Sequence, residues 1–163
     1  MMLFKGFRKN IIPDGDEGRE IRERLKDESL CRKCGKCCHL GFIVGGIFFF
    51  FPQLPCKFLK ENGDSTYHCE VYEKRDRIEW CNPCKEETIM EGLFPPDCVY
   101  VRGIPNYRGK IELPEDENER NRIKKKILRQ VRYMPKPEYI KPTDWARFMR
   151  ELQEEKTQAG TQR

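Results

Sequence analysis

The sequence predicts an α+β protein: a small, irregular, metal-stabilised core rich in cysteine, with short β-hairpins and flanking N- and C-terminal helices. Three observations support this fold class. Only 37% of the 163 residues are hydrophobic and 36% are charged, which is a low apolar share for a globular domain. All nine cysteines fall between Cys31 and Cys98. Helical spacing of apolar residues occurs only outside that region. We therefore expect a lead-in segment (1–30), a cysteine-cluster domain (31–101) and a basic helical extension (102–163).

The first hairpin is predicted from an aromatic, β-branched run that follows the first cysteines. The glycine pair at 45–46 interrupts this run, and glycine supplies the positive φ angles that tight hairpin turns require. We expect strands near 41–44 and 47–51, ended by Pro52 and Pro55.

Further short elements are predicted within the cysteine region. A second pair of strands is expected at 55–59 and 68–72, joined by a polar turn at 61–66. One or two helical turns are expected at 86–91, and a last strand at 98–101.

Helices are expected in both flanks. The pattern over 17–30 is weak. A clearer apolar stripe at spacings of four, four and three consists of Ile123, Ile127, Val131 and Met134. A final helix capped by Thr143 is predicted from Trp145, Phe148, Met149 and Leu152.

The cysteines fit metal binding better than disulfide bonding. The first ten residues contain no apolar core of a signal peptide. The longest apolar run, Leu40 to Phe51, is shorter than the roughly 20 residues that span a bilayer. We therefore expect a cytoplasmic protein without membrane contact, in which thiols stay reduced. An odd number of cysteines also fits a closed set of disulfides poorly.

The spacing of the thiols suits a metal or a cluster. The run from Cys31 to Cys38 repeats Cys-x-x-Cys, and Cys81 and Cys84 have the same spacing. Such a loop lets two soft, anionic sulfurs meet one centre, and three thiols in this run also occur in cluster-binding segments. Sequence alone leaves open two four-cysteine zinc sites, or a [4Fe–4S] cluster with a second centre.

Four residues in or next to these motifs are harder to assign. Cys37 and Cys38 are adjacent, so we expect them to serve different centres or one of them to be spare. His39 and His68 could each replace a thiol as ligand. A position outside the ligand set fits the histidines better, because the cysteines already outnumber the positions needed.

The cysteine region resembles the CxxCxxCC family of cysteine-cluster domains, which are described as zinc- or iron-chelating. The matching blocks are Cys31-Arg-Lys-Cys34-Gly-Lys-Cys37-Cys38, Pro55-Cys56-Lys-Phe-Leu59, Cys69-Glu-Val-Tyr72-Glu-Lys-Arg75, Trp80-Cys81 and Leu93-Phe-Pro-Pro-Asp-Cys98-Val-Tyr100. The last block resembles the end of a longer branch of that family. Cys84 lies outside the pattern. The resemblance implies that the metal ligands are Cys31, Cys34, Cys37, Cys38, Cys56, Cys69, Cys81 and Cys98.

The expected function is therefore that of a zinc or iron–sulfur protein acting with a protein partner, as an accessory, electron-transfer or structural module. The alternative is a small iron–sulfur enzyme that modifies a protein or a small molecule. A related motif occurs in an enzyme that methylates flagellin lysines, although this chain has no nucleotide-binding glycine motif. Nucleic-acid binding ranks last: residues 101–163 carry sixteen basic and ten acidic side chains, the acids are interleaved, and no aromatic platform is evident.

Overall fold

The structure, a computed structural model, describes residues 8–81 and 85–158 and shows the predicted α+β class. The helices in this part of the chain are α1 (Gly15–Leu25), α2 (Glu86–Met90), α3 (Glu117–Val131) and α4 (Pro142–Gln158). The strands form two antiparallel pairs, β1 (His39–Val44) with β2 (Ile47–Pro55) and β3 (Leu59–Glu61) with β4 (Tyr67–Cys69). Within the described residues, no helix combines the length and the apolar character needed to cross a membrane.

The first hairpin is confirmed, and its second strand is longer than predicted. Gly45 and Gly46 turn the chain with φ of 61° and 78°. The expectation that Pro52 ends this strand was wrong, because β2 continues to Pro55, where it ends as predicted. The pairing shifts register between His39 and Gly41. An irregular stretch of this kind tolerates a proline, which has no N–H to give to the ladder.

Helices α3 and α4 pack on this hairpin and complete the larger hydrophobic cluster. The ring of Phe148 in α4 stacks on Phe42 and meets Phe51 edge-on, with centroids 5.8 and 5.1 Å away. Helix α4 begins at Pro142 rather than at a Thr143 cap, since proline suits the first position of a helix. The buried members of the cluster are Leu40, Phe42, Val44, Phe49, Phe51, Leu54, Ile123, Ile127, Val131, Ile140, Phe148 and Leu152.

A second, smaller cluster joins α1 and α2 to the segment after α2. Its buried members are Ile12, Ile21, Leu25, Ile89, Phe94, Tyr100, Val101 and Ile104. The predicted last strand at 98–101 was wrong, because Val99–Val101 forms a 3₁₀ turn. The N–H of Val101 donates to the Cys98 carbonyl, so this backbone is satisfied locally. The turn allows Tyr100 and Val101 to face the cluster together.

The second hairpin is present but shorter and shifted from its predicted bounds. Strands β3 and β4 pair Leu59 with Cys69, and Asn62 and Thr66 bond across the turn through backbone and side chains. The residues before β3 leave this hairpin and join the C-terminal segment: Lys57 N–H donates to the Tyr139 carbonyl at 2.7 Å.

Candidate metal centre

The loop from Cys31 to Cys38 is shaped by two left-handed residues. Lys33 and Gly35 have φ of 53° and 70°. At Gly35 a Cβ would lie 2.9 Å from the ring of Tyr67. This position therefore favours glycine because of its positive φ and because of this close contact. The Lys33 N–H donates to the sulfur of Cys31 at 3.4 Å. A backbone N–H aimed at sulfur is a favourable arrangement for a thiolate.

Cys98, which is distant in sequence, joins the thiols of this loop. Burial raises the pKa of Cys98 to about 11, and repulsion from Cys37, Cys34 and Cys31 adds to the rise. Electrostatic interactions therefore connect the thiol of Cys98 to all three of these loop thiols. Arg32 holds the two segments together by donating to the carbonyl and the carboxylate of Asp97. We call Cys31, Cys34, Cys37 and Cys98 the first thiol group.

A second set of thiols comes from three further segments. Cys56 follows β2, Cys69 ends β4, and Cys81 follows a 3₁₀ turn over Tyr72–Arg77. Burial raises the pKa of Cys81 to about 11, with added repulsion from Cys56 and Cys69. Burial also raises the pKa of Cys56, again with repulsion from Cys69. Electrostatic interactions therefore connect these three thiols.

Cys38 links the two sets. Its sulfur lies 3.9 Å from that of Cys37, and its carbonyl accepts from the Cys56 N–H at 2.9 Å. The hydrogen bond between the two sulfurs, in which either thiol can be the donor, lowers the pKa of Cys37 to about 7 and raises that of Cys38. Repulsion from Cys56 raises the pKa of Cys38 further. With Cys38, the second thiol group comprises Cys38, Cys56, Cys69 and Cys81.

Lys110 is a buried cation beside this junction, and the sequence did not point to it. Only 3% of its surface is exposed. Its ammonium donates to the carbonyls of Cys37 at 3.0 Å and His39 at 2.7 Å, and lies 5.3 Å from the Phe48 ring centre. Burial lowers its pKa to about 8, although the Cys37 and Cys38 thiols oppose that change. No signal marks it among the sixteen basic residues after residue 100.

The backbone explains how Lys110 reaches this position. Ile111 lies beside β2, where its N–H donates to Phe48 and its carbonyl accepts from Phe50. Gly109 lies so close to the carbonyl of Phe94 that a Cβ would come within 2.0 Å of that oxygen. These contacts place the side chain of Lys110 next to the start of β1.

Both histidines already have partners at Nδ1. In buried His39 that nitrogen lies 2.8 Å from the Gly35 carbonyl and acts as the donor, while burial lowers the pKa of the ring. In exposed His68 it lies 2.7 Å from Asn62 Oδ1. The Nδ1 bond of His39 therefore ties its ring to the cysteine loop.

The eight cysteines within the described residues are all free thiols. As the side chains stand, the described residues contain no set of three or more His, Cys, Asp or Glu side chains arranged to hold one metal ion. The prediction concerning Cys84 falls outside the described residues. The sulfurs of each thiol group would therefore have to move closer together to bind one ion.

Comparison with known proteins adds one relative without a stated activity. The chain is 34% identical over 94 residues to an uncharacterized protein of Methanocaldococcus jannaschii. The match covers 56% of this chain and 66% of that protein, which is slightly less than two thirds of its length. No family model matches the chain, and no solved structure matches it.

Proposed function

We propose that this chain is a metal-binding protein whose two thiol groups hold zinc or iron–sulfur centres. The first centre would use Cys31, Cys34, Cys37 and Cys98, and the second Cys38, Cys56, Cys69 and Cys81. The observation that carries the proposal is that eight free thiols, from the 31–38 loop and four later segments, interact electrostatically in two sets that meet where the Cys37 and Cys38 sulfurs lie 3.9 Å apart. Four sulfur donors match both a structural zinc site and a four-iron cluster.

The charge of Lys110 supports anionic sulfur at this place. A buried ammonium is costly unless an anion or several acceptors surround it. No carboxylate bonds to Lys110 among residues 8–81 and 85–158; the acceptors are the carbonyls of Cys37 and His39. Thiolates on both sides of the Cys37–Cys38 junction would provide the missing negative charge.

The chemistry of such centres fits a structural or electron-transfer role. Bound zinc would fix the loop, the hairpins and the 98–101 turn relative to one another, because metal binding is coupled to folding. An iron–sulfur centre would add one-electron chemistry, with a potential tuned by nearby N–H donors and charge. The N–H of Lys33 and the ammonium of Lys110 are this chain's own groups for that purpose. We propose that the module acts with a protein partner.

Metal and sulfide analysis of anaerobically purified full-length protein tests the proposal. We expect either about two zinc ions per chain without sulfide, or iron with acid-labile sulfide and a brown colour. Protein that contains neither metal, even after refolding with zinc or iron and sulfide, would contradict it.

Two single variants test the division into groups. Cys34→Ser should lose the first centre and keep the second, whereas Cys69→Ser should do the opposite. Each variant should retain about half of the wild-type metal. Complete loss in both variants would show that the thiols form one joint centre.

A further inference from the structure

Helix α3 presents a row of basic side chains on one exposed face. They follow one another at i, i+3, i+4, i+7 and i+10, which aligns them along the helix. This face is opposite to the one that buries Ile123, Ile127 and Val131 in the larger cluster. The members, all exposed, are Arg122, Lys125, Lys126, Arg129 and Arg132. We call these five residues the basic stripe.

The stripe is not neutralised by the residues that the structure describes. Within the described residues, none of its five side chains takes part in an ion pair or a hydrogen bond. The acids of α3, Glu117 and Glu119, lie in its first turn, ahead of the stripe. Helix α4 differs, because there Arg147 pairs with Asp144 at 2.6 Å. The acidic residues of α3 therefore do not lie among the basic residues of the stripe.

An exposed aromatic ring stands at the end of the stripe. Tyr133 follows Arg132 directly and is 87% exposed, the largest exposure among the large hydrophobic side chains of the described chain. An exposed ring next to unpaired cations is an arrangement that can stack a nucleobase.

We propose that the basic stripe and Tyr133 bind single-stranded nucleic acid. The five cations extend over about 15 Å of helix, at ~1.5 Å per residue, and would contact successive phosphates while Tyr133 stacks on a base. A membrane surface fits less well, because interfacial helices insert an apolar face and that face of α3 is buried. A protein interface fits less well because the cores of such interfaces are depleted of lysine.

Fluorescence anisotropy with a labelled 15-nucleotide strand of mixed sequence, as RNA and as DNA, tests this inference on full-length protein as purified. Binding should weaken steeply as salt rises. The triple variant Lys125→Gln/Lys126→Gln/Arg129→Gln should bind about tenfold more weakly or worse, with the slope of log affinity against log salt reduced by about two. Tyr133→Ala should weaken binding by about fivefold or more and leave that slope unchanged.

A matched control removes the same charge elsewhere. Arg102→Gln/Arg108→Gln/Arg150→Gln also deletes three exposed cations, and it should bind much more tightly than the stripe triple. The proposal would be overturned if both triple variants lost the same affinity for the strand, or if the stripe triple bound it like the wild type. It would also be overturned if the wild type bound a duplex as tightly as the strand. Tighter, stripe-dependent binding to phosphatidylserine vesicles than to the strand would overturn it too. The stripe triple should keep wild-type metal content, so this result is independent of the proposed metal function.

Discussion

At the scale of single residues, Lys110 is the least expected feature of the candidate centre. It is buried, it satisfies two carbonyls next to the thiol junction, and it follows a glycine that has no room for a side chain. Its amine therefore has two functions, since it holds the backbone at Cys37 and His39 and supplies positive charge beside two sulfurs.

Replacing Lys110 by methionine should destabilise the protein by about 1–3 kcal/mol, because two buried carbonyls would lose their donor. Metal content should fall as well, since the countercharge is removed. Urea unfolding followed by circular dichroism and metal analysis measure the two effects. The control is Lys141→Met, an exposed lysine, which should change stability by less than about 0.5 kcal/mol. A Lys110→Met protein with wild-type stability and metal content would refute this role.

The choice between Cys38 and Cys84 as the fourth ligand of the second group is also a single-residue question. Cys38 lies next to Cys56, whereas Cys84 lies outside the pattern that the sequence resembles. We expect Cys38→Ser to lose the second centre and Cys84→Ser to keep both centres, as judged by metal-to-protein ratio. Metal loss in Cys84→Ser with retention in Cys38→Ser would exchange the two assignments.

At the scale of elements, sequence patterns within one segment predicted secondary structure, whereas contacts between distant segments could not be predicted. The glycine pair and the aromatic run predicted the first hairpin, and apolar spacing predicted α3 and the last helix. The sequence did not predict that β2 passes Pro52, because the irregular pairing that allows this depends on residues of the opposite strand. The division of the thiols was equally hidden, since Cys98 reaches the first group only through the packing of the 98–101 turn.

The loop that carries the first thiols should depend on Gly35. Gly35→Ala would force a Cβ into a left-handed backbone and against the ring of Tyr67. We expect a loss of about 1 kcal/mol or more in stability and weaker metal retention against a chelator. Gly63→Ala, where a Cβ would meet nothing within 4 Å, is the control. Equal metal retention in the two variants would contradict this requirement.

The packing of α4 on the first hairpin gives another prediction. Phe148 is 1% exposed and contacts two aromatic rings of the hairpin. Phe148→Ala should cost about 3–5 kcal/mol, whereas Tyr133→Ala, an exposed aromatic, should stay within about 0.5 kcal/mol. Chemical unfolding of the metal-loaded protein checks both. A small cost at Phe148 would mean that α4 contributes little to the fold.

At the scale of the whole molecule, the larger hydrophobic cluster contains no cysteine, whereas Cys37 and Cys98 pack against the smaller one. The apolar share of the sequence suggested a core held mainly by metal. The structure shows twelve buried hydrophobic side chains in the larger cluster, eleven from β1, β2, α3 and α4 and one, Ile140, from the segment between the two helices.

Metal removal should therefore loosen the molecule unevenly. Hydrogen exchange measured by mass spectrometry, with and without chelator, should show faster exchange in the cysteine loop, the 98–101 turn and α1. Amides of α3 and α4 should remain protected, because the buried members of their hydrophobic cluster include no cysteine. Uniform loss of protection along the whole chain would contradict this division.

The backbone bonds after β2 have a practical consequence. Cys56 forms an isolated β-bridge with Ile140, and the Lys57 N–H donates to the Tyr139 carbonyl. The segment that carries Cys56 is therefore held by the residues between α3 and α4. A shortened gene product that stops at residue 101 would lack that support. Residues 31–101 transplanted into another protein would therefore carry these cysteines but lack the backbone contacts that hold Cys56 in place.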